Sequence, residues 1–302
     1  MDIKILFVLS PNKCQWEYLK SYYVYTYEEK CHTLHKKILN LFGVEEVDKI
    51  GEYTNSLEEA IAWKPDVLFS TDNYAGLLER FPLCLTIYVG HGCIFPSTDY
   101  KTLYSLASSP LYDYVIASGE KEKEIYNFLS PETRVLPFGC GKYCNPLKKY
   151  EGYEDTVLYA PTSRSFSYKF LIPLVERYGK KFLVVLHPNF KQFNPEQEII
   201  HHPYVTYMER EGVEDYDILN WVYSCEMLLC DPNSCIFWDG MFLNKRVDVC
   251  HRREKKLVLE RSNFKGEPGG EYYFYNNEKI TRDDYLILNG VEKLFLYLLS
   301  NI

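Results

Sequence analysis

The sequence predicts an α/β protein of two doubly wound, Rossmann-like lobes facing across a cleft. Three observations carry that expectation: short β-branched apolar runs alternate with longer helical patterns, the alternation breaks once near the middle, and polar residues gather directly after several runs. The first series covers residues 3–9, 66–70, 83–89, 114–118 and 134–137. It stops at FGCGKYCNPLKKYEGYED, residues 138–155, where glycines, a proline and mixed charge without apolar periodicity read as an interdomain linker. A second series follows at 156–160, 181–186, 204–207, 227–230 and 247–250. The expected lobes are therefore 1–145 and 146–302. Leu286, Leu288, Val291, Leu294, Leu296, Leu298 and Leu299 recur among polar residues and predict one or two amphipathic helices at the end, the last able to cross back to the first lobe.

A chain of 302 residues with 46% hydrophobic content can bury two modest cores. Its 34 Lys and Arg against 42 Asp and Glu give a formal charge of -8, which argues against broad binding to nucleic-acid backbone. MDIKILFVLSPNK reads as a first strand, lacking a signal peptide's charged start and cleavage site. No apolar run reaches the roughly 18–20 residues that span a bilayer, so a cytoplasmic chain is expected. Its ten cysteines are expected to be free thiols. Cys31 with His32 and His35, Cys140 with Cys144, and Cys225, Cys230 and Cys235 do not repeat the paired CxxC spacing of a zinc site, so no metal is expected.

In open α/β sheets, ligands sit beyond the carboxyl ends of the strands, and four segments there carry chemistry. In Val89-Gly90-His91-Gly92, two glycines flank an imidazole that can serve as general base on a hydroxyl. In Tyr159-Ala160-Pro161-Thr162-Ser163-Arg164, the hydroxyls of Thr162 and Ser163 can donate to phosphate oxygens and Arg164 can neutralise them. His187-Pro188 ends a further apolar run, with Pro188 fixing the chain's exit. Finally, Asp231-Pro232-Asn233-Ser234 leads to Asp239, with a helix expected to start near Ser234 and to offer exposed amides to phosphate. Each segment alone also has a structural explanation, as a tight turn, a strand end or a helix cap.

In order and approximate spacing these segments resemble the HG, YAPTxR, HP and DxSSxxxD motifs of the CDP-glycerol glycerophosphotransferase family of teichoic-acid synthesis, over roughly residues 83–250. The resemblance implies a GT-B fold and an acceptor hydroxyl that attacks the β-phosphorus of CDP-glycerol with release of CMP, without a required metal or other cofactor. It implies His91 as base and His187 as a stabiliser of phosphate charge, with Gly92 and Asp231 in support. Thr162, Ser163, Arg164, Pro188, Asn233 and Ser234 would hold the donor, and Asp239 would support the site or meet the donor's glycerol or ribose. Two departures stand out: the first lysine after the HG pair is Lys101, and the paired serines appear as Asn233 and Ser234.

The implied partners are a nucleotide-activated donor and a glycan or polyol-phosphate acceptor of the cell envelope. A lipid-linked acceptor would bring peripheral contact with the inner face of the cytoplasmic membrane, for which the aromatic stretch Trp16–Tyr25 and the basic run His251–Lys256 are candidates. A GT-B glycosyltransferase using a nucleotide-sugar, a sugar-nucleotide epimerase, and a non-catalytic nucleotide-binding scaffold remain open alternatives.

Overall fold

The computed structural model describes residues 2–11, 15–25, 33–45, 47–72, 74–90, 111–129, 131–161, 168–187, 200–208, 218–231, 234–253, 256–261, 271–273, 279–281 and 290–301. The chain divides into two compact units. The first takes the described residues up to Asn145 together with the terminal helix, and the second takes those from Pro146 to Thr281.

The first unit is built on seven parallel strands: β1 (Asp2–Val8), β2 (Thr33–Leu39), β3 (Tyr53–Thr54), β4 (Val67–Ser70), β5 (Leu85–Tyr88), β6 (Tyr114–Ile116) and β7 (Arg134–Leu136). They lie in the order β3-β2-β1-β4-β5-β6-β7, so the chain reverses its direction of travel across the sheet between β1 and β4. The period of two along β1 decides which residue faces which layer. Ile3, Ile5 and Phe7 pack with Trp16, Leu19 and Tyr22 of helix α1 (Trp16–Val24) and with Val291, Leu294, Phe295 and Leu298 of the terminal helix. Leu6 and Val8 point the other way, into a second core with Ala60 of α2 (Leu57–Trp63), Leu78 of α3 (Ala75–Leu78) and Tyr126 of α4 (Glu120–Leu129). Both faces of the sheet are covered, as parallel strands require.

This packing corrects two expectations. Trp16, Tyr18 and Tyr22 are 6%, 8% and 0% exposed, so these rings of the stretch proposed for membrane contact belong to the core. The linker expected from residue 138 is likewise not free at its start. Cys140, Gly141, Lys142, Tyr143 and Asn145 are buried, and Gly141–Cys144 form a short 3-10 helix. The Lys142 ammonium meets the Glu17 carboxylate at 3.0 Å, Ser21 Oγ donates to the Gly141 carbonyl at 2.7 Å, and Asn145 Nδ2 donates to the Glu17 carbonyl at 3.0 Å. A Cβ on Gly141 would lie 2.4 Å from the Tyr22 ring, so only glycine lets this segment come so close to α1.

The second unit has parallel strands β8 (Thr156–Ala160), β9 (Lys181–Val184), β10 (Val205–Tyr207), β11 (Met227–Cys230) and β12 (Arg246–Arg253), with β13 (Lys256–Arg261) added antiparallel at the edge. Their order is β10-β9-β8-β11-β12-β13, which reverses between β8 and β11 as the first sheet does between β1 and β4. Helix α5 (Tyr168–Tyr178) covers one face, where Leu171, Leu174 and Val175 pack with Val157, Tyr159, Phe182, Val184 and Leu229. Helix α6 (Ile218–Ser224) precedes β11 and α7 (Ile236–Phe242) follows it. A Cβ on Gly240 of α7 would sit 2.4 Å from Val247 Cγ2 and 3.1 Å from Leu228 Cδ2, so α7 lies tight against β11 and β12. A separate hairpin pairs β14 (Glu271–Tyr273) with β15 (Lys279–Thr281). The terminal helix α8 (Gly290–Asn301) closes the chain.

Among the described residues no helix is long and apolar enough to cross a membrane, and no group of three or more His, Cys, Asp or Glu could hold a metal ion. None of the described cysteines, Cys84, Cys140, Cys144, Cys225, Cys230, Cys235 and Cys250, is in a disulfide.

Candidate functional site

A parallel sheet whose strand order reverses opens a crevice at the carboxyl ends of the two strands flanking the reversal, because the following connections leave to opposite faces. In the second unit those strands are β8 and β11. Their register pairs Ala160 with Cys230, so Pro161 and Asp231 leave the sheet side by side. On the other side of β8, Tyr159 pairs with Val184, and the Val185 amide donates to the Tyr159 carbonyl at 2.9 Å, which carries Leu186 and His187 off the same edge. Pro161, His187 and Asp231, the described residues at the start of three of the four segments, therefore leave one edge of three adjacent strands, each strand about 4.8 Å from the next.

Of the residues singled out in this unit, His187, Asp231, Ser234 and Asp239 are described. His187 is half-buried, Asp231 is 4% exposed and Asp239 is 1% exposed. The Ser234 amide donates to the Asp231 carbonyl at 3.2 Å and closes a turn directly after β11. The helix starts slightly later than expected, at Ile236, and its N-cap is Cys235 with no side-chain capping bond, so Ser234 lies in the turn rather than capping α7. Asp239 stands in the first turn of α7, packed inside, where a carboxylate also suits the helix's positive end. Thr162, Ser163, Arg164, Pro188 and Asn233 lie outside the described residues, as do His91, Gly92, Cys31, His32 and Lys101.

The floor beneath this edge is acidic and buried. Burial, reinforced by Asp231, Cys250, Asp239 and Asp248, holds the Cys230 thiol well above its usual range. Burial and Asp231 push the Cys250 thiol up to about 12. Asp248 is fully buried and accepts from Tyr178 OH at 2.7 Å and from Arg246 Nη2 at 2.8 Å. Thiols kept protonated in this way do not supply thiolate ligands or nucleophiles. Buried carboxylates are instead suited to accept hydrogen bonds from hydroxyls, such as those of a ribose or a polyol.

The first unit has its own reversal point, between β1 and β4, which the sequence reading passed over. Ser10 Oγ donates to Asp72 Oδ2 at 3.2 Å, Ser70 Oγ donates to the Asp72 carbonyl at 3.0 Å, and Thr71 Oγ1 donates to Gln15 Oε1 at 2.7 Å. Tyr112 OH also donates to the Asp72 carbonyl, and burial pushes that phenol up to about 12. The signal was present in Ser10 and in Thr71-Asp72, polar residues placed directly after an apolar strand. The strand carrying the HG segment ends nearby: the Val89 amide donates to the Ser70 carbonyl at 2.9 Å, and Gly90 has a φ of 66°, a left-handed conformation that glycine adopts without strain.

No family model matches the sequence, and no curated protein matches it. Solved structures do. UDP-GlcNAc 2-epimerase of Methanocaldococcus jannaschii, in complex with UDP-GlcNAc and UDP, is similar at a TM-score of 0.66 and 14% identity over 99% of this chain and 100% of that one. UDP-N-acetylglucosamine 2-epimerase of Rickettsia bellii is similar at 0.58 and 13% identity over 100% of this chain and 96% of that one. The wall teichoic acid polymerase TagF gives a TM-score of 0.48 at 15% identity, over 81% of this chain and 69% of that one. The fold is of the GT-B glycosyltransferase and epimerase type, with two Rossmann-like units each built on a parallel sheet.

Proposed function

We propose that this chain is a transferase that moves glycerol phosphate, or a related phosphopolyol, from CDP-glycerol to a hydroxyl of a cell-envelope acceptor. The observation that supports it is that Pro161, His187 and Asp231, the described residues where the YAPTSR, HP and DPNS segments leave their strands, lie at the β9-β8-β11 edge, where the sheet order reverses. In a sheet of this order that edge is where ligands bind, and the segments that start there resemble those of a phosphate-handling family.

In this reading the second unit holds the donor and the first presents the acceptor. Thr162, Ser163, Arg164, Asn233 and Ser234 hold the diphosphate, Pro188 shapes the rim, and Asp231 and Asp239 accept from donor hydroxyls. His91, presented by Gly90 and Gly92, takes the proton from the acceptor hydroxyl. The new oxygen–phosphorus bond forms at the β-phosphorus, and the bond to the bridging oxygen breaks. CMP leaves with that electron pair while His187 stabilises the charge on phosphate. Such a reaction asks for positioning and charge stabilisation rather than a covalent nucleophile, and no metal or other cofactor is assigned to it. The chemistry belongs on the cytoplasmic side, where nucleotide-activated donors are made.

The test has two readouts. CDP-glycerol with purified protein and a glycerol-phosphate acceptor should release CMP, and His91→Ala should abolish release without lowering the melting temperature. Wild-type turnover in that variant removes His91 from the mechanism.

A second reading has an observation of its own. The epimerase similarity at a TM-score of 0.66 extends over the whole of both chains, and that protein binds UDP-GlcNAc and UDP. If UDP and UDP-sugars raise the melting temperature and CDP and CDP-glycerol do not, the chain is a nucleotide-sugar enzyme instead.

A further inference from the structure

The amino edge of the second sheet carries a lysine that the proposed transfer does not use. Three connections meet there, entering the adjacent strands β8, β11 and β12. Lys149 and Glu154 come from the first, Tyr223 and Glu226 from the second and Lys245 from the third, and all five line a cavity of about 190 Å³. Lys245 is set in place by the end of α7. Asn244 turns left-handed at a φ of 52°, its amide donates to the Met241 carbonyl at 3.2 Å, and the Lys245 amide donates to the Gly240 carbonyl at 2.9 Å. These two bonds form the Schellman closure of a helix, so the backbone under the lysine is fixed.

The Lys245 side chain is half-buried, donates to the Cys225 carbonyl at 2.6 Å and stands 5.7 Å from the centre of the Tyr223 ring. The carboxylates around it are already paired. Glu154 meets Lys149 at 3.3 Å and Glu226 meets Lys180 at 2.5 Å, and among the described residues no carboxylate forms an ion pair with Lys245. Burial lowers the Lys245 ammonium from its usual range; Cys225 and Glu226 oppose this, and the Lys149 charge adds to it. The Cys225 thiol is itself pushed up to about 12 by burial, so it carries no charge near neutral pH. A lysine that is partly desolvated, beside a second cation and without a carboxylate partner is disposed to act as a neutral amine nucleophile. Lys36 makes the contrast. Burial lowers it too, but its ammonium is held by the carbonyls of both Tyr23 and Tyr25.

We propose that Lys245 is an acylation site whose donor is an anionic acyl phosphate. The amine nitrogen attacks the acyl carbon, the carbon–oxygen bond to phosphate breaks, phosphate leaves with that electron pair, and the nitrogen gives one proton to water. The Lys149 charge draws the anionic reagent to the cavity, which has room for the acyl group. The product amide is uncharged, so modification ends the cation's contact with the Tyr223 ring and removes one positive charge from this edge. The inference does not rest on the transferase reading, because the cavity lies at the opposite edge of the sheet from Pro161, His187 and Asp231.

The experiment treats the full chain near neutral pH with acetyl phosphate and, separately, with the uncharged reagent p-nitrophenyl acetate, and follows each lysine by peptide mass spectrometry. With either reagent the initial rate at Lys245 should exceed that at the exposed Lys64 and Lys181 by at least about threefold, and urea unfolding should abolish the excess. Lys149→Gln should slow the reaction of Lys245 with acetyl phosphate more than that with p-nitrophenyl acetate, and rising salt should have the same selective effect. A rate at Lys245 no greater than at the exposed lysines overturns the site, and so does an excess that persists in urea. Equal slowing of the two reagents by Lys149→Gln overturns the anionic donor.

Discussion

At the scale of single residues, burial separates groups that the sequence treats alike. Ten cysteines look equivalent in the sequence, but burial drives the thiols of Cys84, Cys225 and Cys250 up to about 12, whereas Cys144 and Cys235 are exposed. Since the thiolate is the reactive form, iodoacetamide at pH 8 should modify Cys144 and Cys235 within minutes and spare Cys84, Cys225, Cys230 and Cys250 until the protein is unfolded. Peptide mass spectrometry reads this directly, and rapid native labelling of Cys230 would contradict its burial beneath the carboxyl edge of β8 and β11. The Glu17–Lys142 pair is a second case. Both groups are buried, so Glu17→Ala strands an ammonium in the core and should cost about 3–5 kcal/mol in urea unfolding. Replacing both, as Glu17→Gln/Lys142→Met, should cost clearly less. Nothing in the sequence marks this pair, because its members stand far apart in the chain and the segment carrying Lys142 has a linker's composition. His187 and Asp231 at the carboxyl edge were legible for the opposite reason: each directly follows an apolar run.

Among the elements, strands flanked on both sides show most plainly in the sequence, although the edge strands β7 and β10 were legible too. Strands β1, β4, β8 and β11 lie inside their sheets and read as plain apolar runs. Strand β2 does not, because only the two-residue β3 lies beyond it and its sides accept cations. Lys37 reaches Glu52 at 2.8 Å and stands over the Trp63 ring, while Lys36 donates to the carbonyls of Tyr23 and Tyr25. The far half of β12 is hidden similarly, since HRR pairs only with the edge strand β13. Helix α8 is the reverse case: its apolar stripe is plain in sequence, but the partner of that stripe is not. The partner is the first sheet, and the contact is close enough that a Cβ on Gly290 would fall 1.0 Å from the Phe138 carbonyl oxygen. Backbone cannot yield as a side-chain tip can, so Gly290→Ala should displace the start of α8 and cost about 1–3 kcal/mol or more. Leu294→Ala, which opens a cavity in the same core, should cost about 2–5 kcal/mol. Thermal or urea unfolding measures both, and a neutral Gly290→Ala would mean that α8 is not held against Phe138.

For the whole molecule, each unit carries a parallel sheet with its own reversal point and its own core, so a ligand held by one unit should leave its mark there. The second unit offers two separate places. One is the carboxyl edge at Val185–His187 and Asp231–Ser234; the other is a shallow cavity of about 190 Å³ at the amino edge, lined by Lys149, Glu154, Tyr223, Ser224, Cys225, Glu226 and Lys245. The cavity's cations are already engaged. Lys149 pairs with Glu154 at 3.3 Å, and Lys245 Nζ donates to the Cys225 carbonyl at 2.6 Å. A nucleotide diphosphate would have to compete with that carboxylate and that carbonyl, whereas the carboxyl edge is where a sheet of this strand order binds its ligands. Hydrogen exchange with a saturating nucleotide should therefore slow the amides of Val185, Leu186, His187, Asp231 and Ser234 and leave Tyr223, Ser224 and Glu226 unchanged. At a ligand concentration 100 times its Kd, stabilisation of the binding unit should approach about 2.7 kcal/mol. Protection centred on Tyr223–Glu226 instead would move the nucleotide to the opposite edge of the sheet, and with it would go the case for reading Thr162, Arg164 and Ser234 as its ligands.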